Sequence, residues 1–329
     1  MKEPVKKTDI DAAAVLEALL DSDRNKKSFK DLELMSDLDR KTIKMCIENL
    51  RESGIVIDGR AGFSVLKIPD KITSPLLLCD LNSKVLGRNV YSYKSLGSTN
   101  EAAHRLAESG APEGTIVIAE KQTRGRGRLG RKWHSPSGSG LFFSLILRPT
   151  ISIEKLPGLS LVAALSICRV MERIDNLEPE IKWPNDCLID SKKIAGILME
   201  ISAELDRISY AVVGIGINVN HAKKDFPISL RSRATSLALA SGIRHDRVNL
   251  LKQFLYEFEK DYNNFVKYGL RFMGRALVER SSVLDKKITV RFGKRKINGM
   301  AVGLDENGAL RLKTKDGVIT LSAGEVTLR

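Results

Sequence analysis

Four short segments carry residue types at spacings suited to chemistry. Residues 124–133 place three glycines (Gly125, Gly127, Gly130) among four arginines (Arg124, Arg126, Arg128, Arg131) and end on Trp133. Backbone amides and guanidinium forks together suit a carboxylate or phosphate. Four like charges repel one another, so this loop is expected to stay mobile until an anion arrives. Trp133 offers a flat face on which a base can stack. A solvated basic loop is the alternative. Gly125-Arg126-Gly127-Arg128-Leu129-Gly130 formally fits the dinucleotide-binding glycine pattern, but that pattern must open a helix. Pro136, Gly138 and Gly140 follow instead, and they cannot sustain one.

The second segment is Lys182-Trp183-Pro184-Asn185-Asp186, with Lys193-Ile194-Ala195-Gly196 shortly after. A lysine near an Asn-Asp pair suits a carboxylate, a phosphate or a hydrated Mg²⁺; a surface turn beside a solvated lysine is the other reading. The third is Ser98-Thr99-Asn100-Glu101. Ser-x-x-Glu before an amphipathic run is a helix capping box, and the same hydroxyls and amide could also hold a small polar ligand. In the fourth, Gly214-Ile215-Gly216-Ile217-Asn218, glycines in a strand allow close approach of a ligand and Asn218 could read an adenine edge. Plain strand packing is the alternative there.

The chain that must position these residues has 329 residues, enough for two or three domains at roughly 100–200 residues each. Apolar residues make up 43% and charged residues 29%, a globular composition that excludes wholesale disorder. No apolar run approaches the ~20 residues of a membrane span. Asp9, Asp11 and Glu17 stand where a signal peptide needs an apolar core. A cytoplasmic protein without membrane attachment is expected. Four scattered cysteines and four unpaired histidines point to no disulfide framework and no transition-metal site. The net charge of +14 points to polyanionic partners. Residues 1–66, with 12 basic against 13 acidic side chains, do not supply it.

Helical periodicity is expected over 9–20, with Ile10, Ala13, Ala14, Leu16, Leu19 and Leu20 on the apolar face, then over 29–35 and 40–54. A two-stranded hairpin about Asp58-Gly59 completes a winged helix-turn-helix pattern over 1–68. Residues 69–90 read as a linker with a short helix. Residues 91–275 alternate strands (115–119, 141–147, 194–201, 211–219) with helices (99–109, 156–174, 247–268), a mixed-sheet α/β domain. Short glycine-punctuated strands over 276–329 fit an SH3-like barrel. The fold class expected is multidomain α+β.

STNEAA, AEKQTRGRGRLGRKWHSPSG, IKWPNDCLI, KKIAGILME and GIGINVN occur in that order. In them the chain resembles the biotin protein ligases, specifically the bifunctional ligases that also repress the biotin operon. The resemblance covers essentially the whole chain. It implies ATP- and Mg²⁺-dependent formation of biotinyl-5′-AMP and transfer of biotin to a lysine of a biotin carboxyl carrier protein. Carried over, Ser98, Thr99, Asn100 and Gln122 contact biotin, and Arg126, Gly127 and Arg128 order over it. Trp133 and Asn218 bracket adenine; Arg131, Lys182, Asn185 and Asp186 serve phosphates, with Asp186 also on Mg²⁺. Lys193, with Arg128, acts on the reacting carboxylate and phosphorus. The resemblance also implies a homodimer that binds operator DNA with biotinyl-5′-AMP as co-repressor. Arg40, Lys41, Thr42 and Lys44 are the expected DNA contacts.

Two departures stand outside the expected contacts: Leu129 replaces a common arginine and Gly140 a frequent asparagine. The turn Ser36-Asp37-Leu38-Asp39 lacks glycine, which with the near-neutral charge bears on DNA affinity. A ligase whose winged helix does not repress, a biotin-sensing regulator without ligase activity, and a lipoate ligase are the competing readings.

Overall fold

A computed structural model describes residues 7–21, 26–204 and 207–328. Residues 1–6 and 22–25 of the expected N-terminal unit, and Arg329 of the C-terminal one, lie outside the described residues. The chain opens with helices α1 (Lys7–Leu20), α2 (Phe29–Ser36) and α3 (Arg40–Glu52). α2 and α3 each start on a side-chain cap. Ser28 and Asp31 form a reciprocal capping box on α2, and Asp39 accepts from Thr42 N at 2.7 Å on α3. α3 buries Ile43, Cys46, Ile47 and Leu50, the spacing of one helical face. α1 buries Ala13, Leu16 and Leu19 as expected, but Ile10 and Leu20 are exposed, and Ala12, Val15 and Ala18 pack inward as well. A small antiparallel pair follows, β1 (Val56–Asp58) with β2 (Ser64–Lys67).

The segment expected as a linker is packed rather than loose. It holds α4 (Ser74–Leu78), with Leu76, Leu77, Leu78, Leu81 and Leu86 all buried. Five apolar side chains in a short stretch gain more by joining the core than by tethering in water.

The central sheet has seven strands in the order β3-β4-β5-β9-β8-β7-β6. These are β3 (Val90–Tyr93), β4 (Ile116–Ala119), β5 (Gly140–Leu147), β6 (Glu180–Lys182), β7 (Asp186–Ile189), β8 (Lys192–Glu204) and β9 (Arg207–Asn218). Only β3 and β4 run parallel, so the sheet is mixed. All eight residues of β5 are buried because both faces are covered. On one face Leu141, Phe143 and Leu145 join the core with α6 (Leu156–Met171) and α8 (Arg247–Tyr268). On the other, Ile146 packs with α5 (Thr99–Glu108) through Ala103 and Leu106. Ser144, on that second face, turns its hydroxyl to the start of α5.

Two short helices, α7 (Leu237–Ser241) and α9 (Gly274–Glu279), complete the helical layer. The C-terminal strands are β10 (Lys287–Phe292), β11 (Arg295–Leu304), β12 (Leu310–Thr314), β13 (Gly317–Leu321) and β14 (Glu325–Leu328). They make an antiparallel sheet ordered β13-β12-β11-β10-β14. That sheet is fastened to the central one by buried Trp183, whose Nε1 donates to Gly308 O at 3.0 Å.

Candidate active site

A cavity of about 760 Å³ opens above β8 and β9. Its floor is made of glycine. Gly196 on β8 pairs with Gly216 on β9, and the indole of Trp133 lies across both. A Cβ at Gly216 would stand 2.4 Å from Trp133 Nε1, and one at Gly196 2.9 Å from its Cζ3. Only a bare backbone lets a ring come so close. Trp133 Nε1 is buried there without a hydrogen-bond partner.

One end of the cavity is built by the start of α5. Ser98 occupies the N-cap position, yet its side chain caps nothing, so the expected capping box is not made. Thr99 N donates to Gln122 Oε1 at 2.9 Å instead, and Glu101 is drawn away to Arg124 and Arg126. Gln122 Nε2 donates to Ser135 Oγ at 3.1 Å. Asn100 is fixed on both sides of its amide: Ser144 Oγ donates to its Oδ1 at 2.6 Å, and its Nδ2 donates to Glu200 Oε2 at 2.8 Å. Gly214 leaves room for it, since a Cβ there would stand 1.9 Å from Asn100 Oδ1. The result is a rigid set of donors and acceptors for a small polar head group.

Cations gather at the other end. Lys193 Nζ lies 2.7 Å from Asp186 Oδ1 and 5.2 Å from the Trp133 ring centroid. Arg128 donates to Asn185 Oδ1 at 2.9 Å. Burial pulls the Arg128 guanidinium below its ordinary value, while nearby Asp186 and Glu325 act in the opposite sense. Asn218 Nδ2 donates to Thr235 O at 3.0 Å, which turns its carbonyl oxygen free of that bond. Lys182, Arg126, Gly127 and Arg131 line the same space. All fourteen residues singled out for ligand binding therefore meet at one cavity.

The expected self-repulsion of the arginine loop is largely cancelled. Arg124 pairs with Glu101 at 3.5 Å, Arg126 with Glu200 at 3.3 Å, and Arg131 with Glu325 of β14. Of these acids only Glu101 was singled out in the sequence, and there as part of a capping box. Glu200, the one charge between residues 194 and 203 of β8, was a local signal; Glu325, far along the chain, had none. Gly324, Thr327, Phe226 and Arg233 also line the cavity.

The metal question turns on Asp186. Among the described residues no cluster of three or more His, Cys, Asp or Glu side chains can hold an ion. Asp186 Oδ1 is buried and accepts no hydrogen bond, its contact with Lys193 being an ion pair only. A single carboxylate fits Mg²⁺ when phosphate oxygens and water complete its shell. The expected DNA contacts lie elsewhere, on the exposed start of α3. Lys41 is exposed, and Arg40 and Lys44 sit over the Phe29 ring at 4.4 and 5.9 Å.

Comparison with known proteins bears on this arrangement. Residues 93–218 match the Biotin/lipoate A/B protein ligase family, and residues 283–329 the Biotin protein ligase C terminal domain. The chain is 40% identical over 288 residues to the bifunctional ligase/repressor BirA of Bacillus subtilis, covering 86% of this chain and 87% of that one. It is 30% identical over 302 residues to the BirA of Escherichia coli, covering 89% of each. A biotin protein ligase of Aquifex aeolicus, solved in complex with biotin and ATP, superposes with a TM-score of 0.63 at 34% identity. That match spans 74% of this chain and 99% of that one. Motifs, cavity and relatives agree, and the chain belongs to the biotin protein ligase family.

Proposed function

We propose that the chain joins biotin to ATP as biotinyl-5′-AMP, then transfers the biotinyl group to a lysine of a biotin carboxyl carrier protein. The observation that carries this reading is the meeting of the fourteen chosen residues at one cavity with a glycine floor. Ser98, Thr99, Asn100 and Gln122 hold the biotin head group. Trp133 and Asn218 hold adenine, and Arg131, Lys182, Asn185 and Asp186 face the phosphates. A carboxylate oxygen of biotin bonds to the α-phosphorus, the bond to the bridging oxygen breaks, and pyrophosphate leaves with the electron pair. Two anions must approach for this, and Lys193 and Arg128 offset their repulsion and the charge that develops at phosphorus. Asp186 would hold Mg²⁺, which when bound would supply further neutralisation of the leaving group. In the second step the acceptor amine attacks the acyl carbon, AMP departs and a proton is released. Arg126 and Gly127 cover the adenylate and exclude water.

The N-terminal unit, 1–68, is read as a winged helix-turn-helix, with β1 and β2 as its wing and α3 as its recognition helix. Its near-neutral charge favours binding as a homodimer, where phosphate contacts from two half-sites add. Biotinyl-5′-AMP is then the co-repressor on biotin-gene operator DNA, in the cytoplasm. Residues 69–90 join this unit to the catalytic domain, 91–275, and 276–329 form an SH3-like barrel. Incubation with labelled biotin, ATP and an acceptor domain should label the acceptor. Absence of biotinyl-AMP and pyrophosphate would overturn the ligase reading. Operator shifts with and without biotinyl-AMP test the repressor.

A further inference from the structure

Arg247, at the first turn of α8, is the largest fully buried side chain among the described residues. Every face of its guanidinium is occupied. Nε donates to Asp70 Oδ1 at 2.7 Å and Nη2 to Asp70 O at 2.7 Å. Nη1 donates to Glu120 Oε2 at 2.9 Å and to Gly140 O at 3.0 Å. Burial works against the charge, but the hydrogen bonds to Glu120 and Asp70 outweigh it and the group is held protonated.

The location of these partners matters more than their number. Glu120 and Gly140 are the two ends of the segment that holds the arginine loop. The β4–β5 ladder itself stops at Ile118 and Phe143. Beyond that point the two limbs meet through Gln122 and Ser135, N to O at 3.3 Å and Nε2 to Oγ at 3.1 Å, and Nη1 bonds to the stems themselves at Glu120 and Gly140. Glu120 stands two residues before Gln122, whose Oε1 receives Thr99 N, and Gly140 pairs with Asn218. The remaining arm reaches Asp70, on the segment leading from β2 into α4. Glu120 Oε1 also accepts Ile72 N at 2.8 Å, a second tie to that segment.

We infer that Arg247 is a positioning residue for the biotin end of the cavity, pinning both stems of the ligand loop to the segment 69–72. A loop whose ends are fixed loses less entropy when its middle orders over a ligand. Releasing the stems raises that cost and weakens binding without touching the reacting groups. The segment that follows the N-terminal unit thereby helps set the affinity for biotin. This rests on the proposed biotin site at Ser98–Gln122.

The test is biotin titration of the full chain by calorimetry for wild type, Asp70→Ala, Glu120→Gln and the double variant, with thermal melts of each. Asp70 lies outside the cavity. Asp70→Ala should raise the biotin Kd three- to tenfold while kcat at saturating biotin stays within twofold. In the double variant the two effects should fall short of their product, because both act through one guanidinium. Should Asp70→Ala melt without cooperativity, Arg247→Lys, which keeps the charge but loses the fork, should itself raise the biotin Kd three- to tenfold. A purely structural role would lower Tm and leave the Kd unchanged, which overturns the inference, as would independent effects in the double variant. Wild type that binds no biotin would overturn the proposed function instead.

Discussion

A pair of glycine substitutions separates the two ends of the cavity. In Gly216→Ala the new Cβ would lie 2.4 Å from Trp133 Nε1 and Cε2, against 3.4 Å for ordinary contact. The indole, or a purine in its place, must rise about 1 Å from the floor. The fold itself should tolerate the change, since alanine is favoured over glycine in a strand by about 0.5–1 kcal/mol and Trp133 sits on a loop that can lift. A misplacement of about 1 Å costs on the order of 100-fold in rate. Gly216→Ala should therefore lower kcat/KM for ATP about 10- to 100-fold, about 1.4–2.7 kcal/mol, with biotin Kd within about twofold. Gly214→Ala should do the reverse. Its Cβ would meet Asn100 Oδ1 at 1.9 Å, and Asn100 is held between Ser144 and Glu200 with nowhere to move. Overpacking of this kind costs about 1–3 kcal/mol, and the loss should fall on biotin affinity and on Tm. ATP–pyrophosphate exchange, biotin titration and melting curves measure all three. Equal loss of both ligands in each variant would refute the division of the cavity.

Lys193→Ala should leave the fold intact and slow pyrophosphate release ~10²–10³-fold, the usual effect of removing a charge-stabilising donor; stopped-flow phosphate detection with pyrophosphatase reads it. Acid should destabilise the fold through His221, which is fully buried with neither ring nitrogen bonded. Burial pushes its pKa down to about 4 from 6.5, so the unfolded chain takes up a proton that the folded one refuses. Stability is full above pH 6.5 and falls as pH drops toward 4, by about 2–3 kcal/mol at pH 4.5. His221→Phe should flatten the urea-midpoint profile over this window, and parallel profiles would rule the assignment out. Lys41→Ala should weaken operator binding and reduce its salt slope by about one, with biotin transfer unchanged; a gel shift across salt concentrations tests this.

Much of this arrangement was legible before the coordinates. The apolar runs at 141–147 and 211–219 are β5 and β9, and the periodic stretch 247–268 is α8, because hydrophobic period reports burial directly. The ligand residues were legible chiefly through the resemblance of five motifs to the biotin protein ligases, since residue type alone left each segment an ordinary structural reading as well. What escaped was long-range pairing. The acids that neutralise Arg124, Arg126 and Arg131 come from α5, β8 and β14, and no local pattern links them to the loop. The missing cap at Ser98 has the same origin, since Gln122, more than twenty residues on, accepts the Thr99 amide, and Arg124 and Arg126 draw Glu101 away. In α1, Ile10 faces out and Ala12 in, because the partners α3 and α4 select the buried face, not the hydropathy of α1 alone.

The indole of Trp183 reaches past its own motif to hold Gly308 O. Glu325 holds Arg131 from the opposite side of the same boundary. In the sequence, residue 276 looks like a seam at which an exchangeable module begins. Mechanically the seam runs through the cavity wall. A recombinant that swaps the last strands for those of a distant relative inherits a foreign clamp on its own phosphate loop, and truncation before β10 bares the tryptophan beside Lys182. Exchange of this C-terminal sheet must therefore carry Trp183 and Arg131 with it, because the two units share one wall despite their separate outlines.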